Sequence, residues 1–140
     1  MSIEKGLQTV SFPAGADLSA KQYHLLEQAS DGELTAANAA TDTIVGVLQN
    51  KPAAAARAAS VAIGGVTKVA LSSTSTGSAI TRGDQLVTNS AGRAVKFGGT
   101  NAAHYIIGRS LTTTTTGTPA GVGNQIGSMQ ITHEGFGSTV

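Results

Sequence analysis

The chain predicts an all-β fold: a small barrel or sandwich built from two similar hairpin-containing halves, with an N-terminal arm. Three observations lead there. The sequence repeats its own pattern about 60 positions apart, it holds 18 Gly among 140 residues with abundant Ser and Thr, and only 4% of it is aromatic, with no Trp. High Gly with many β-branched residues favours short strands and turns over long helices. A core without large rings must be built from Val, Ile, Leu and Ala, and it leaves little room for a large ligand cage. A chain of this length forms one ordinary domain and buries about two thirds of its unfolded surface.

The echo reads as follows. The first copy runs Tyr23, His24, Leu25, Leu26, then Ser30-Asp31-Gly32, then Asn38-Ala39-Ala40, and closes on Ile44-Val45-Gly46. The second runs Asp84, Gln85, Leu86, Val87, then Ser90-Ala91-Gly92, then Asn101-Ala102-Ala103, and closes on Ile106-Ile107-Gly108. Leu25 to Leu86 is 61 positions, Gly32 to Gly92 is 60, Asn38 to Asn101 is 63 and Gly46 to Gly108 is 62, and slips of one to three residues belong in loops. Each copy is an apolar run, a Gly turn and a second apolar run, which describes a β-hairpin unit.

In chain order, residues 1–15 form the arm, whose strand Leu7–Phe12 is stopped by Pro13 and Gly15. It lies outside the echo and either adds a strand to its own barrel or reaches a neighbour. Residues 21–71 form the first half. Lys21–Gln28 is a short strand leading into the Ser30-Asp31-Gly32 turn. Thr43–Leu48, a β-branched run of the type buried on both faces, marks the centre of the core. Ala53–Ala59 is one helical turn or a loop. Ser60–Ile63, Gly64-Gly65 and Val66–Leu71 read as strand, tight turn, strand. Residues 72–83 are an exposed Ser/Thr linker and 84–132 the second half, with a last strand Gln125–Thr132. Residues 133–140 are a frayed tail.

Chemistry is sparse. Nine basic and eight acidic side chains give a net charge of +1, and Lys and Arg are scattered singly, so the clustered basic face that nucleic-acid binding needs is missing. Zero Cys removes disulfides, thiolate metal sites and Cys nucleophiles. Met1–Lys5 is polar without an apolar signal region, and no run of about 18 apolar residues occurs, so a soluble chain made in the cytoplasm and no membrane contact are expected. His24, His104 and His133 lack paired ligand spacing and read as strand-end residues half exposed to solvent. Asp31 reads as a turn residue, with Glu33 on the solvent face and Asp42 beyond. Gly64-Gly65 lacks the Gly-Lys-Ser/Thr ending and following helix of a phosphate loop. No Gly-x-Ser-x-Gly elbow occurs, and Thr112–Thr116 reads as an exposed low-complexity loop. No catalytic, cofactor-binding or metal-binding residue is assigned, and the expectation is a protein that is not an enzyme.

The runs Ala16-Asp17-Leu18-Ser19-Ala20-Lys21-Gln22-Tyr23, Thr43–Ala53 with its Gly46-Val47-Leu48-Gln49-Asn50-Lys51-Pro52 core, and Gly92-Arg93-Ala94-Val95 carry a resemblance. The chain resembles the capsid cement, or head decoration, proteins of tailed bacteriophages over roughly Ala16 to Ile131. The resemblance implies a structural virion protein, made in the host cytoplasm, that binds the outer surface of the assembled head and holds neighbouring major capsid protein subunits together. A homotrimer is expected from avidity on a threefold lattice site. Leu7, Val10 and Phe12, an apolar arm outside the duplicated core, are the expected partner contacts. Deleting Met1–Phe12 is expected to abolish capsid binding and leave a folded barrel. The alternative is a carbohydrate-binding or host-adhesion surface module using the Thr run, although sugar sites usually stack on Trp or Tyr.

Overall fold

A computed structural model of the chain describes residues 5–72, 79–99, 103–114 and 125–136. They form nine strands: β1 (Lys5–Pro13), β2 (Leu25–Gln28), β3 (Leu34–Ala36), β4 (Ile44–Leu48), β5 (Ala58–Leu71), β6 (Gln85–Thr88), β7 (Ala94–Lys96), β8 (Tyr105–Ser110) and β9 (Gln125–Phe136). The fold is all-β, as composition and echo predict.

One long strand organises it. β5 pairs antiparallel with β1 and β4 through its first part and with β9 through its last. Ala62 sits between Thr9 of β1 and Val47 of β4, whereas Leu71 sits between Ala94 of β7 and Gln125 of β9. The pairings therefore run in two small rings that share β5. The first is β1-β5-β4-β2-β3, closed by a parallel bridge between Ala14 and Leu34. The second is β5-β9-β8-β6-β7, closed by a parallel pair between Leu71 and Ala94. The closures match bond for bond: Gly15 donates its N–H to Leu34 at 2.8 Å, and Ser72 donates to Ala94 at 2.9 Å.

The echo is thus a structural duplication, with a register of 60 in the first two strands of each copy and 62 in the third. Leu26 faces Gly46 and Leu86 faces Gly108, so Leu86 matches Leu26 and not Leu25. A one-residue slip in a strand moves every side chain to the other face, which makes this correction matter. The N-terminal arm is β1, and it supplies to the first ring the strand that the end of β5 supplies to the second. Of the two places open to it, the arm takes the edge of its own sheet. The echo passes over it because the two strands share a position and not a sequence.

The same physics explains both glycines that end the copies. A Cβ on Gly46 would lie 2.1 Å from the Ala62 carbonyl oxygen, and one on Gly108 would lie 2.1 Å from that of Gln130. Each half crowds its third strand of the copy against the long strand beside it, and only Gly fits.

Gly64 and Gly65 do not form a hairpin turn; β5 runs straight through them. Gly65 has φ +89°, and a Cβ on it would meet the Gly6 carbonyl oxygen at 2.1 Å. These residues let β1 approach closely at an irregular point in its pairing. Other expectations change for similar reasons. The strand read at Lys21–Gln28 begins only at Leu25, because Leu18–His24 is tied into turns: Lys21 N–H to Leu18 and His24 N–H to Lys21, both at 2.9 Å. Ala53–Arg57 forms a turn and no helix. The linker is exposed only in part: Ser72 and Ile80 are buried, and residues 73–78 lie outside the described residues. β9 continues to Phe136, past the expected start of fraying, with residues 137–140 outside the described part.

Two apolar clusters make the core. The smaller, including Leu18, Leu26, Leu34, Leu48 and Val61, comes from the first half and the residues just before it. The larger joins Leu25, Ile44 and Val47 to Val69, Leu86, Ile107 and Met129 across both halves. Burying the β-branched run at Ile44–Leu48 between them bears out its reading as the centre of the core.

Candidate functional site

Three non-Gly residues among those described, Tyr23, Ala56 and His133, hold a left-handed backbone. Tyr23 has φ +65°, a left-handed conformation that costs a non-Gly residue roughly 1–2 kcal/mol. Its partner in the duplication is Gly83, at φ +92°, where the conformation is free. Tyr23 is pinned on both sides: its N–H donates to Leu48 at 2.8 Å and its carbonyl accepts from Ala70 at 2.8 Å. Gly83 donates in the same way to Ser110 at 2.7 Å. In the first half an aromatic side chain stands at this position and packs against the larger core cluster; in the second there is none.

Around Tyr23 lies a hollow of about 370 Å³. Ser19 and His24 reach it from the turns before β2, Lys51 from the loop after β4, Arg93 from the turn between β6 and β7, and Ile126 from β9. Both halves must therefore be docked for it to exist. Arg93 is positioned by Asn89, whose side-chain oxygen accepts the N–H groups of Ala91 and Arg93 at 2.9 and 3.0 Å. The adjoining Gly92 carbonyl accepts the Leu25 N–H at 2.8 Å, stitching that turn to the first half. Tyr23 also has the Lys68 ammonium 5.7 Å from its ring centroid. Ile126 is 42% exposed beside it.

The hollow is electropositive. Among the described residues lining it, Lys51 and Arg93 are cationic and none is acidic. His24 is buried, contrary to its reading as half exposed, with Nδ1 3.2 Å from the Gln22 carbonyl oxygen. Burial, followed by the charges of Arg93 and Lys21, pushes its pKa below the usual value, so it is neutral near pH 7. An apolar wall with cations at its rim suits an anionic group on an apolar stem.

The other histidines lie elsewhere. His133 sits between the Ile63 carbonyl oxygen, 3.0 Å from Nε2, and the Tyr105 hydroxyl, 3.2 Å from Nδ1, while His104 packs edge-on to Phe97. Asp31 accepts the Glu33 N–H at 3.0 Å, the expected turn contact. Asp42 accepts the N–H groups of Asn38 and Ala39 at 2.9 and 2.8 Å. Among the described residues no three His, Asp or Glu side chains gather as a metal cluster.

The arm residues are half-buried on β1. Leu7 packs against the larger cluster, and Val10 and Phe12 against the smaller. The strand is thus part of the folded body, so its deletion does not separate binding from folding. Among the described residues, Lys5–Pro13 pairs along one edge only, with β5. The Thr run is less exposed than its composition suggests. Thr114 is buried, its hydroxyl accepting the Ile80 N–H at 2.9 Å, and the Thr112 hydroxyl accepts the Ser128 N–H at 2.8 Å. Residues 115 and 116 lie outside the described part.

No family model matches the chain, and no curated protein matches it in sequence. Its fold is similar to a solved structure, the head fiber gp8.5 N base of bacteriophage phi29. The TM-score is 0.61 at 19% identity, over 92% of this chain and 98% of that one. At that identity the likeness establishes a shared fold.

Proposed function

We propose that this chain is a structural virion protein that binds the exterior of an assembled phage head and stabilises contacts between major capsid subunits. The observation that carries the proposal is the shared fold with a phage head fiber base over nearly the whole length of both chains. The resemblance to head decoration proteins, carried by Gly46–Pro52 and Gly92–Val95, points the same way. A body of this kind needs no reactive centre; it needs a rigid surface that fits the assembled lattice and not the free subunit. Binding one state alone favours it by about 2.7 kcal/mol per site at a hundredfold excess over the dissociation constant.

The proposed assembly is a homotrimer, whose three copies gain avidity on a local threefold. The proposed contact uses β1, whose second edge is unpaired among the described residues and which carries Leu7, Val10 and Phe12. An added strand on such an edge supplies main-chain hydrogen bonds without new side chains. The carbohydrate-binding alternative draws little from the Thr run, because Thr112 and Thr114 spend their hydroxyls inside the fold.

The test is co-sedimentation of the purified protein with intact heads and, in parallel, with dispersed capsid subunits. The expected result is saturable pelleting with heads only, and a three-chain mass by light scattering. Equal binding to dispersed subunits, or none to heads, would overturn the proposal.

A further inference from the structure

The hollow at Tyr23 combines features that the rest of the described surface does not explain. Tyr23 holds a left-handed backbone that its twin Gly83 adopts without strain, and its ring both packs against the larger core cluster and lines the hollow. The ring, Ala70 and the exposed Ile126 form an apolar wall, while Lys51 and Arg93 reach in from two separate turns. Asp17, two residues before Ser19, accepts the Ser19 N–H at 2.9 Å. The corresponding turn of the second half carries a carboxylate in place of His24: Asp84, which pairs with Lys96 at 3.1 Å. The two turns share their backbone hydrogen bonds and differ in their side chains.

We infer that this hollow is a docking socket for an acidic segment of a partner polypeptide, a Glu or Asp side chain flanked by an apolar residue. Charge complementarity selects this occupant: the carboxylate meets Lys51 and Arg93, and its apolar neighbour covers Tyr23 and Ile126. A second copy of the chain is disfavoured, because the large exposed apolar residues among those described, Ile126 and Phe136, belong to β9, whose nearby Glu134 is already bridged to Arg109 at 2.8 Å. The inference rests on the proposed function only for the source of the segment, an outward-facing stretch of the head.

The probe is a capped Glu-Leu-Glu peptide, with capped Lys-Leu-Lys as control, titrated into the full chain and followed by backbone amide NMR. The acidic peptide is expected to shift Tyr23, Ala70 and Ile126 in a saturable way, and the basic peptide to leave them unmoved. Tyr23→Gly, which takes the residue found at the twin position, and Lys51→Glu should each weaken binding at least fivefold with amide signals elsewhere unchanged. Equal shifts around Arg57, Arg82 and Arg109, or undiminished binding by both variants, would overturn the socket. On heads, Lys51→Glu should lose co-sedimentation. If it pellets like the wild type, the socket falls and the head-binding reading stands. If the wild type does not pellet, that reading falls and the peptide titration alone decides the socket.

Discussion

At the scale of single residues, steric fit decides more than polarity. Gly46 and Gly108 each face a carbonyl oxygen at a distance no Cβ tolerates, and the obstacle is backbone, which cannot swing aside. Gly46→Ala is therefore expected to destabilise the chain by about 3 kcal/mol, the upper end for an overpacked core, and Gly108→Ala by a similar amount. Urea unfolding measures both, and a loss below about 1 kcal/mol would contradict the close approach. His24 gives a second prediction. Burial, then Arg93 and Lys21, lower its pKa in the fold, so below the ordinary value of 6.5 the unfolded chain takes up the proton first. Stability is full above that value, falls as pH drops through it, and levels once the folded imidazole also titrates. Against the upward push of burial, hydrogen bonds from Thr81 and the charge of Lys96 hold Asp84 low, which places its contribution at more acid pH. His24→Gln should flatten the melting-temperature profile between pH 7 and 5. An unchanged slope would assign the effect elsewhere.

At the scale of elements, the long strand β5 and the arm β1 carry the argument. β5 serves as the last strand of one ring and the first of the next, so neither ring closes without it. β1 pairs with β5 from Lys5↔Val66 to Pro13↔Ala58, and its side chains cover both clusters. Removing residues 1–13 therefore exposes Leu26, Leu48 and Val61 as well as any docking edge. The truncated chain is expected to lose amide exchange protection in β2–β4 and the adjoining part of β5. A truncated chain with wild-type protection there would show that β1 is an appendage. The hairpin expected at Gly64-Gly65 illustrates a limit of local reading. Two consecutive glycines signal a turn, yet here they serve a close approach by a strand almost 60 positions upstream, which no local window contains.

At the scale of the whole molecule, the halves are duplicated in topology but not independent. Leu25, Ile44, Val47 and Val69 of the first pack with Leu86, Ile107 and Met129 of the second in one cluster, and the socket is assembled from segments of both. Folding is accordingly expected to be a single cooperative transition, with calorimetric and van't Hoff enthalpies equal. Two separated melts would show that each ring holds its own core. Such a rigid unit suits a protein proposed to act by fitting a lattice, since little order has to be gained on binding.

Much of this was readable in the residues. Low aromatic content, many glycines and the repeated pattern determined an all-β body in two related halves, because alternation of apolar residues and turn chemistry are local properties. Tyr23, His24, Lys51 and Arg93 all stood in runs that the reading picked out, although nothing marked them as neighbours. A register of 60 in place of 61 would have set Tyr23 against Gly83 and given the one available hint of strain. Tertiary structure alone decided the rest: that β5 is continuous, that β1 completes the first ring, and that Ile126 closes the hollow. These depend on which distant strand comes to lie beside which, and that choice is made by burial of the shared core, a property of the assembled chain.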